Sequence, residues 1–172
     1  MHCADIKIEE ASASRQIETI EGLAHEIWDE HFTPIIGKAQ VDYMLKKFQS
    51  KKAIKEQIRQ GFWYFLLSIE EKNTNKYIGY IGIIQKEKQL FLSKFYIKLH
   101  ERNKGYGKTA LAFLEKMALE KGADNISLTV NKNNSETIKA YEKLGFKNIG
   151  SVVQNIGNNF VMDDYKMEKI IN

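Results

Sequence analysis

The sequence predicts one α/β (α+β) domain: a mixed, mostly antiparallel, twisted sheet flanked by helices on both faces. Three observations carry this. Apolar residues in the first third recur at helical spacing, as in Ile17, Ile20, Leu23, Ala24 and Ile27. β-branched and aromatic runs follow in close succession over 62–97, a spacing that suits antiparallel hairpins. Beyond residue 97, strand and helix patterns alternate, so the sheet is mixed.

In chain order, Ile6 and Ile8 alternate with charges as a short first strand, and the stripe from Ile17 makes a helix ending near Trp28. The stretch 30–38, with the lone Pro34 and Gly37, reads as a loop. Val41, Met44, Leu45 and Phe48 form a second helical stripe, Ile54 and Ile58 a third, and Gly61 ends the helices. Strands are expected over 62–69, 77–84 and 89–97, with turns at 73–75 and 87–88. Along 90–97 the apolar residues change phase: Leu90 and Leu92, then Phe95 and Ile97. A bulge would produce this slip, and so would a strand buried on both faces. A helix led by Ala110, Leu111 and Leu114 follows, then strand 126–130 and helix 135–144. Asn133 with Glu136 resembles a capping box, and Gly145 suits the helix end. Strands 146–153 and 160–167, turned at Asn158-Asn159, complete the sheet.

Composition narrows the class. At 172 residues with 43% hydrophobic content, the chain suffices for one domain, 1–172, with a full core. A net charge of +4 spread along the chain gives no nucleic-acid-binding block and only a mild preference for anions. Cys3 is the single cysteine, which fits a reducing compartment, and the scattered His2, His25, His31 and His100 lack metal-ligand spacing. The polar start does not resemble a signal peptide, and run 62–67 is too short to span a bilayer. The expectation is a soluble cytoplasmic protein without metal, nucleic-acid or membrane partner. A homodimer is the default for such a chain.

Arg102-Asn103-Lys104-Gly105-Tyr106-Gly107-Lys108-Thr109 lies between a strand and a helix start. Helix N-termini present unpaired N–H groups at the positive end of the macrodipole, and glycines admit close backbone approach. The loop therefore suits a phosphate. A Walker A loop would need glycine where Arg102 stands. The dinucleotide fingerprint fits Gly105-Tyr106-Gly107, but a long polar approach precedes it, and Asn131 stands where an acid should close the next strand. An ordinary strand-to-helix turn with solvated lysines is the plainest alternative.

The third motif, [QR]-x-x-G-x-[GA], is met by Arg102 to Gly107, and N-x6-Y-x3-G-F follows at Asn134, Tyr141, Gly145 and Phe146. Together with Tyr77-Ile78-Gly79-Tyr80-Ile81-Gly82 and Phe95-Tyr96-Ile97, these resemble the GNAT N-acetyltransferase superfamily over about 76–146. The segments around Ile27-Trp28 and 41–45 look like bacterial members related to polyamine acetyltransferases.

The resemblance implies an acetyl-CoA co-substrate and a small-molecule or peptide amine acceptor. The backbone of Phe95, Tyr96 and Ile97 would pair with the pantetheine amides. Arg102, Asn103, Lys104, Gly105, Tyr106, Gly107 and Lys108 would hold the pyrophosphate, Asn134 the pantetheine arm, and Tyr141 would lie near the sulfur. A phenol of ordinary pKa about 10 can protonate a departing thiolate whose acid lies near ~8.5. By periodicity alone, Tyr141 could instead simply pack the core with Ile138 and Leu144.

Many family members place a carboxylate on the strand before the loop, where this chain has Leu90-Phe91-Leu92-Ser93-Lys94. The base is then open among a water chain, Glu26, Asp29, Glu30 and His31. That missing acid also leaves room for a non-catalytic acyl-CoA sensor. Trp28, His31, Phe32 and Tyr43 would form an aromatic acceptor pocket favouring an ammonium, or pack helices onto the sheet. Asp163 and Asp164 would attract a cationic acceptor, or be solvated. Polyamines, aminoglycosides, amino acids and protein N-termini all present a suitable amine.

Overall fold

The structure is a computed structural model and describes residues 5–171, so Cys3 and His2 lie outside the described residues. The helical stripes become α1 (Ser14–His31), α3 (Lys38–Phe48) and α4 (Lys51–Arg59). The expected loop between α1 and α3 instead holds one further turn, α2 (Thr33–Ile36), because Pro34 is compatible with a first helical turn.

The strands are β1 (Lys7–Glu10), β2 (Trp63–Glu71), β3 (Thr74–Lys86), β4 (Gln89–Ile97), β5 (Asn125–Asn131), β6 (Lys147–Gly157) and β7 (Phe160–Ile170). A 3-10 turn, Leu99–Glu101, and α5 (Tyr106–Glu120) follow β4, and α6 (Ser135–Lys143) follows β5. The sheet runs β1-β2-β3-β4-β5-β7-β6, and only β4–β5 is parallel. This is the mixed, mostly antiparallel sheet expected.

Each face has its own core. Tyr64, Leu66 and Tyr80 meet α1, α3 and α4, whereas Phe65, Leu67, Ile81 and Ile83 meet α5. Fully burying each such aliphatic side chain contributes about 1.5–3 kcal/mol. The phase slip in β4 is a bulge. Ile83 pairs with Leu92 and Gly82 with Lys94, leaving Ser93 without a partner. Leu90, Leu92, Phe95 and Ile97 therefore all join the α5 side, while Tyr96 turns to the other. Close approach of β3 to β4 requires Gly79, where an added Cβ would meet Tyr96 O at 2.2 Å.

Two turns can be read in detail. Asn158 and Asn159 both take positive φ between paired Gly157 and Phe160, the two-residue hairpin the sequence suggested. The β2–β3 turn falls one residue early, at Lys72-Asn73, because Thr74 already pairs with Glu71 and donates its hydroxyl to Glu71 O at 2.8 Å. The expected capping box at Asn133 is not formed. Asn134 is the N-cap of α6, without a side-chain cap bond, because its amide bonds elsewhere.

Candidate active site

β4 and β5 pair only from Gln89 to Phe91 on one strand and Asn125 to Ser127 on the other. Beyond that they part, since β4 runs on to Ile97 and β5 to Asn131 without further pairing. The opening is a cavity of about 530 Å³. Its floor is β4 from Leu92 to Ile97, one wall is the Arg102 loop with α6, and the other is α1 with Met162 and Asp164 of β7. Helix α3 closes the far side by donating from Gln40 Nε2 to Val161 O at 2.9 Å.

Gly105 caps α5 with φ +86, and no side chain caps this helix. The first intrahelical bond here runs from Thr109 N–H to Gly105 O at 3.2 Å. The preceding amides thus stay available to an anion. The loop is anchored from below by Glu101, only 2% exposed, which accepts from Lys76 and Lys104 at 2.8 Å each. Lys104 and then Lys76 hold its carboxyl down at about 2. Lysine side chains, rather than deep protein, cover this carboxylate.

Arg102 points inward. Its Nε donates to Ile97 O at 2.9 Å, and a terminal nitrogen reaches His31 Nδ1 at 3.1 Å. A guanidinium can only donate, so Nδ1 accepts and the proton sits on Nε2. Nε2 then donates to Asn134 Oδ1, 3.1 Å away. His31 thereby joins the loop to the start of α6. Burial and then the Arg102 charge push its pKa down, which keeps the imidazole neutral.

Tyr141 lies against Phe146 and Phe95, with ring centroids 5.4 and 6.5 Å away, and also lines the cavity. It is thus both a core and a cavity residue. Burial raises its phenol pKa, and Arg102 opposes the rise. On the facing wall Trp28 and Phe32 sit 4.5 Å apart and approach Tyr96 at 5.6 and 5.9 Å.

The cavity gathers Phe95, Tyr96, Ile97, Arg102, Asn103, Tyr106, Gly107, Asn134 and Tyr141 with Trp28, His31 and Phe32. Lys104, Gly105 and Lys108 are not on its wall: Lys104 is bound to Glu101, Gly105 serves the backbone turn, and Lys108 is exposed. Tyr43 is also apart from it, donating to Ile156 O at 2.7 Å and packing on Phe160 at 5.3 Å. Of the acids considered as base, Glu26 pairs with Lys98 and Asp29 with Lys38, each at 3.0 Å. Neither they nor Glu30 reach the wall.

Thr129 is a wall residue that sequence reasoning did not single out, and Asp164 is one that it did not separate from Asp163. A usable signal existed, since period-2 alternation puts Phe160, Met162 and Asp164 in one phase and Asp163 in the other.

The sequence profile of the Acetyltransferase (GNAT) family matches residues 21–146. This chain belongs to the GNAT family. As such it is an acetyl-CoA-dependent N-acetyltransferase. The GNAT chain is 26% identical over 148 residues to a spermidine N(1)-acetyltransferase of Thermoplasma acidophilum, covering 86% of this chain and 89% of that one. Its fold matches the PaiA N-acetyltransferase of T. acidophilum solved with coenzyme A, at TM-score 0.77 and 24% identity, covering 97% and 99% of the two chains. A spermidine N-acetyltransferase of Vibrio cholerae, solved with CoA and spermine, matches at TM-score 0.68 and 14% identity over 96% and 95%. Among the described residues of this GNAT enzyme, no helix is long and apolar enough to cross a membrane, and no His, Cys, Asp and Glu cluster suits a metal ion.

Proposed function

We propose that this GNAT enzyme acetylates the primary amine of a small aliphatic, polyamine-like acceptor by direct attack, with Tyr141 as the general acid. The observation that carries the reading is that one cavity joins the uncapped start of α5 to the Tyr141 phenol. Arg102, Asn103, Tyr106 and Gly107 would flank the donor's phosphates, and the unpaired edge of Phe95 to Ile97 would meet its amides. Asn134 is oriented for the same donor by its bond to His31. Acetyl-CoA supplies the activated thioester; the protein's residues orient it, exclude water and manage protons. The amine attacks the carbonyl, the carbon–sulfur bond breaks, and Tyr141 protonates the sulfur. Its raised pKa keeps the phenol protonated up to the moment of transfer.

The aliphatic acceptor fits a wall built from Trp28, Phe32, Ile36, Met44 and Met162, and agrees with the spermidine specificity in the name of the relative that is 26% identical. The test is acetylation of an amine panel with mass detection, alongside release of free thiol. Polyamines are expected among the best acceptors; preference for peptide N-termini or aminoglycosides would displace them. Donor binding without amine-dependent thiol release would favour the sensor reading. For Tyr141→Phe, a roughly 10²-fold or greater loss of kcat with unchanged donor affinity is expected. Unchanged turnover with chemistry rate-limiting would remove Tyr141 from the role.

A further inference from the structure

We propose that Asp164 is the proton acceptor for the incoming amine and the anionic anchor of a subsite for a primary alkylammonium. The inference rests on the acetyl-transfer reading above and supplies the base that β4 lacks.

Neighbouring carboxylates on β7 have opposite fates. Asp163 faces out and binds Lys132 at 2.7 Å, whereas Asp164 is 4% exposed and lines the cavity. Asp164 lies opposite Asn131 across the β5–β7 ladder, which brings Thr129 of β5 to its side as a hydrogen-bond partner. Among the described residues no salt bridge neutralises it, because Lys132, the basic group acting on it, is committed to Asp163. Asp164, Tyr96 and the Tyr141 phenol line the same cavity. Trp28 and Phe32 cover the Tyr96 ring. A carboxylate beside aromatic faces is a site that an ammonium with an apolar chain would fill.

The protonation state suits the task. Burial pushes the Asp164 carboxyl up to about 6, with Thr129 opposing, so it is mainly ionised at pH 7 yet able to take a proton. The other ionisable groups on the wall are His31, Glu101, Arg102, Tyr106, Glu136 and Tyr141, with Tyr96 beneath. His31 is held neutral by burial and Arg102, and Glu101 is held ionised by its lysines.

The proton balance closes. The bound ammonium gives one proton to Asp164, and the free amine attacks the thioester carbonyl carbon. The carbon–sulfur bond breaks, the thiolate takes the Tyr141 proton, and the new amide nitrogen returns its second proton to the Tyr141 phenolate. Asp164 then releases its proton to solvent.

The test compares wild type and Asp164→Asn with two primary amines of similar size. One is an ordinary alkylamine, protonated at neutral pH, and the other a fluorinated alkylamine that is largely unprotonated there. The expected result is a roughly 10²-fold or greater loss of kcat/KM for the alkylamine and a loss of only a few-fold for the fluorinated one. The alkylamine defect should shrink as pH rises. Equal losses for both amines, or none, overturn the assignment. Thr129→Val supplies a second readout that keeps Asp164. Without the hydroxyl, the acidic limb of kcat/KM should move to higher pH, and an unmoved limb also overturns it. A wild type that acetylates neither amine sinks the acetyl-transfer reading itself, whereas an active wild type matched by Asp164→Asn sinks only this inference.

Discussion

Lys94 sits on the strand where many GNAT enzymes carry an acid, yet it is 4% exposed and has no carboxylate partner among the described residues. Its Nζ donates to Gln57 Oε1 at 2.7 Å and lies 5.2 Å from the ring centroids of Phe62 and Tyr64. Burial lowers its pKa from 10.5 to about 7. Between those values the unfolded chain binds a proton that the folded protein does not, so stability rises with pH across this window and is lowest at and below the folded pKa. The span of about 3.5 units, at ~1.4 kcal/mol each, gives roughly 5 kcal/mol in all. Cation–π attraction to the two rings favours the charged form, so that figure is an upper value. Lys94→Met keeps the length and removes the titration, while Gln57 Oε1 still accepts from Tyr64. Urea unfolding of both proteins at pH 7, 8 and 9 isolates the residue, because every other group titrates in both. The variant should be the more stable at pH 7, with the gap closing by up to ~1.4 kcal/mol per pH unit. A stability difference independent of pH would refute the argument.

Two further outcomes follow from other contacts. His31→Leu removes the link between Arg102 and Asn134 and should raise KM for acetyl-CoA about 10-fold or more, at roughly 1–3 kcal/mol per buried unsatisfied partner, with a smaller effect on kcat. Steady-state kinetics check this, and an unchanged donor KM would contradict it. Gly79→Ala forces a Cβ against Tyr96 O and should destabilise the protein by at least about 1–3 kcal/mol, read as a fall in melting temperature; an unchanged melting temperature would contradict it.

Much of the fold was legible because its signals are local. The β4 bounds and the Asn158-Asn159 turn follow from alternation and turn chemistry, while the phase slip fitted a bulge and a strand buried on both faces equally until the register put the bulge at Ser93. The start of α5 was legible for the same reason, as the glycine spacing fixes it. What could not be read depends on tertiary neighbours. Asn134 looked adjacent to a capping box but gives its side chain to His31, more than a hundred positions earlier. Lys104 looked like a phosphate ligand or a solvent-facing loop lysine, and its pairing with Glu101 beneath the loop was not visible. Asp163 and Asp164 looked like one acidic pair, and only the position of β7 at the cavity edge separates the paired residue from the buried one.

The most direct test of the account is whether the cleft where β4 and β5 part holds the donor. At about 100 times its Kd, acetyl-CoA should stabilise the fold by roughly 2.7 kcal/mol, a rise in melting temperature of roughly 5–10 °C for a domain of this size. Gly107 has open space for a side chain, so Gly107→Glu should fold yet set a negative charge at the start of α5. The account predicts a large shift for wild type and little or none for the variant. No shift in wild type, or equal shifts in both, would contradict it.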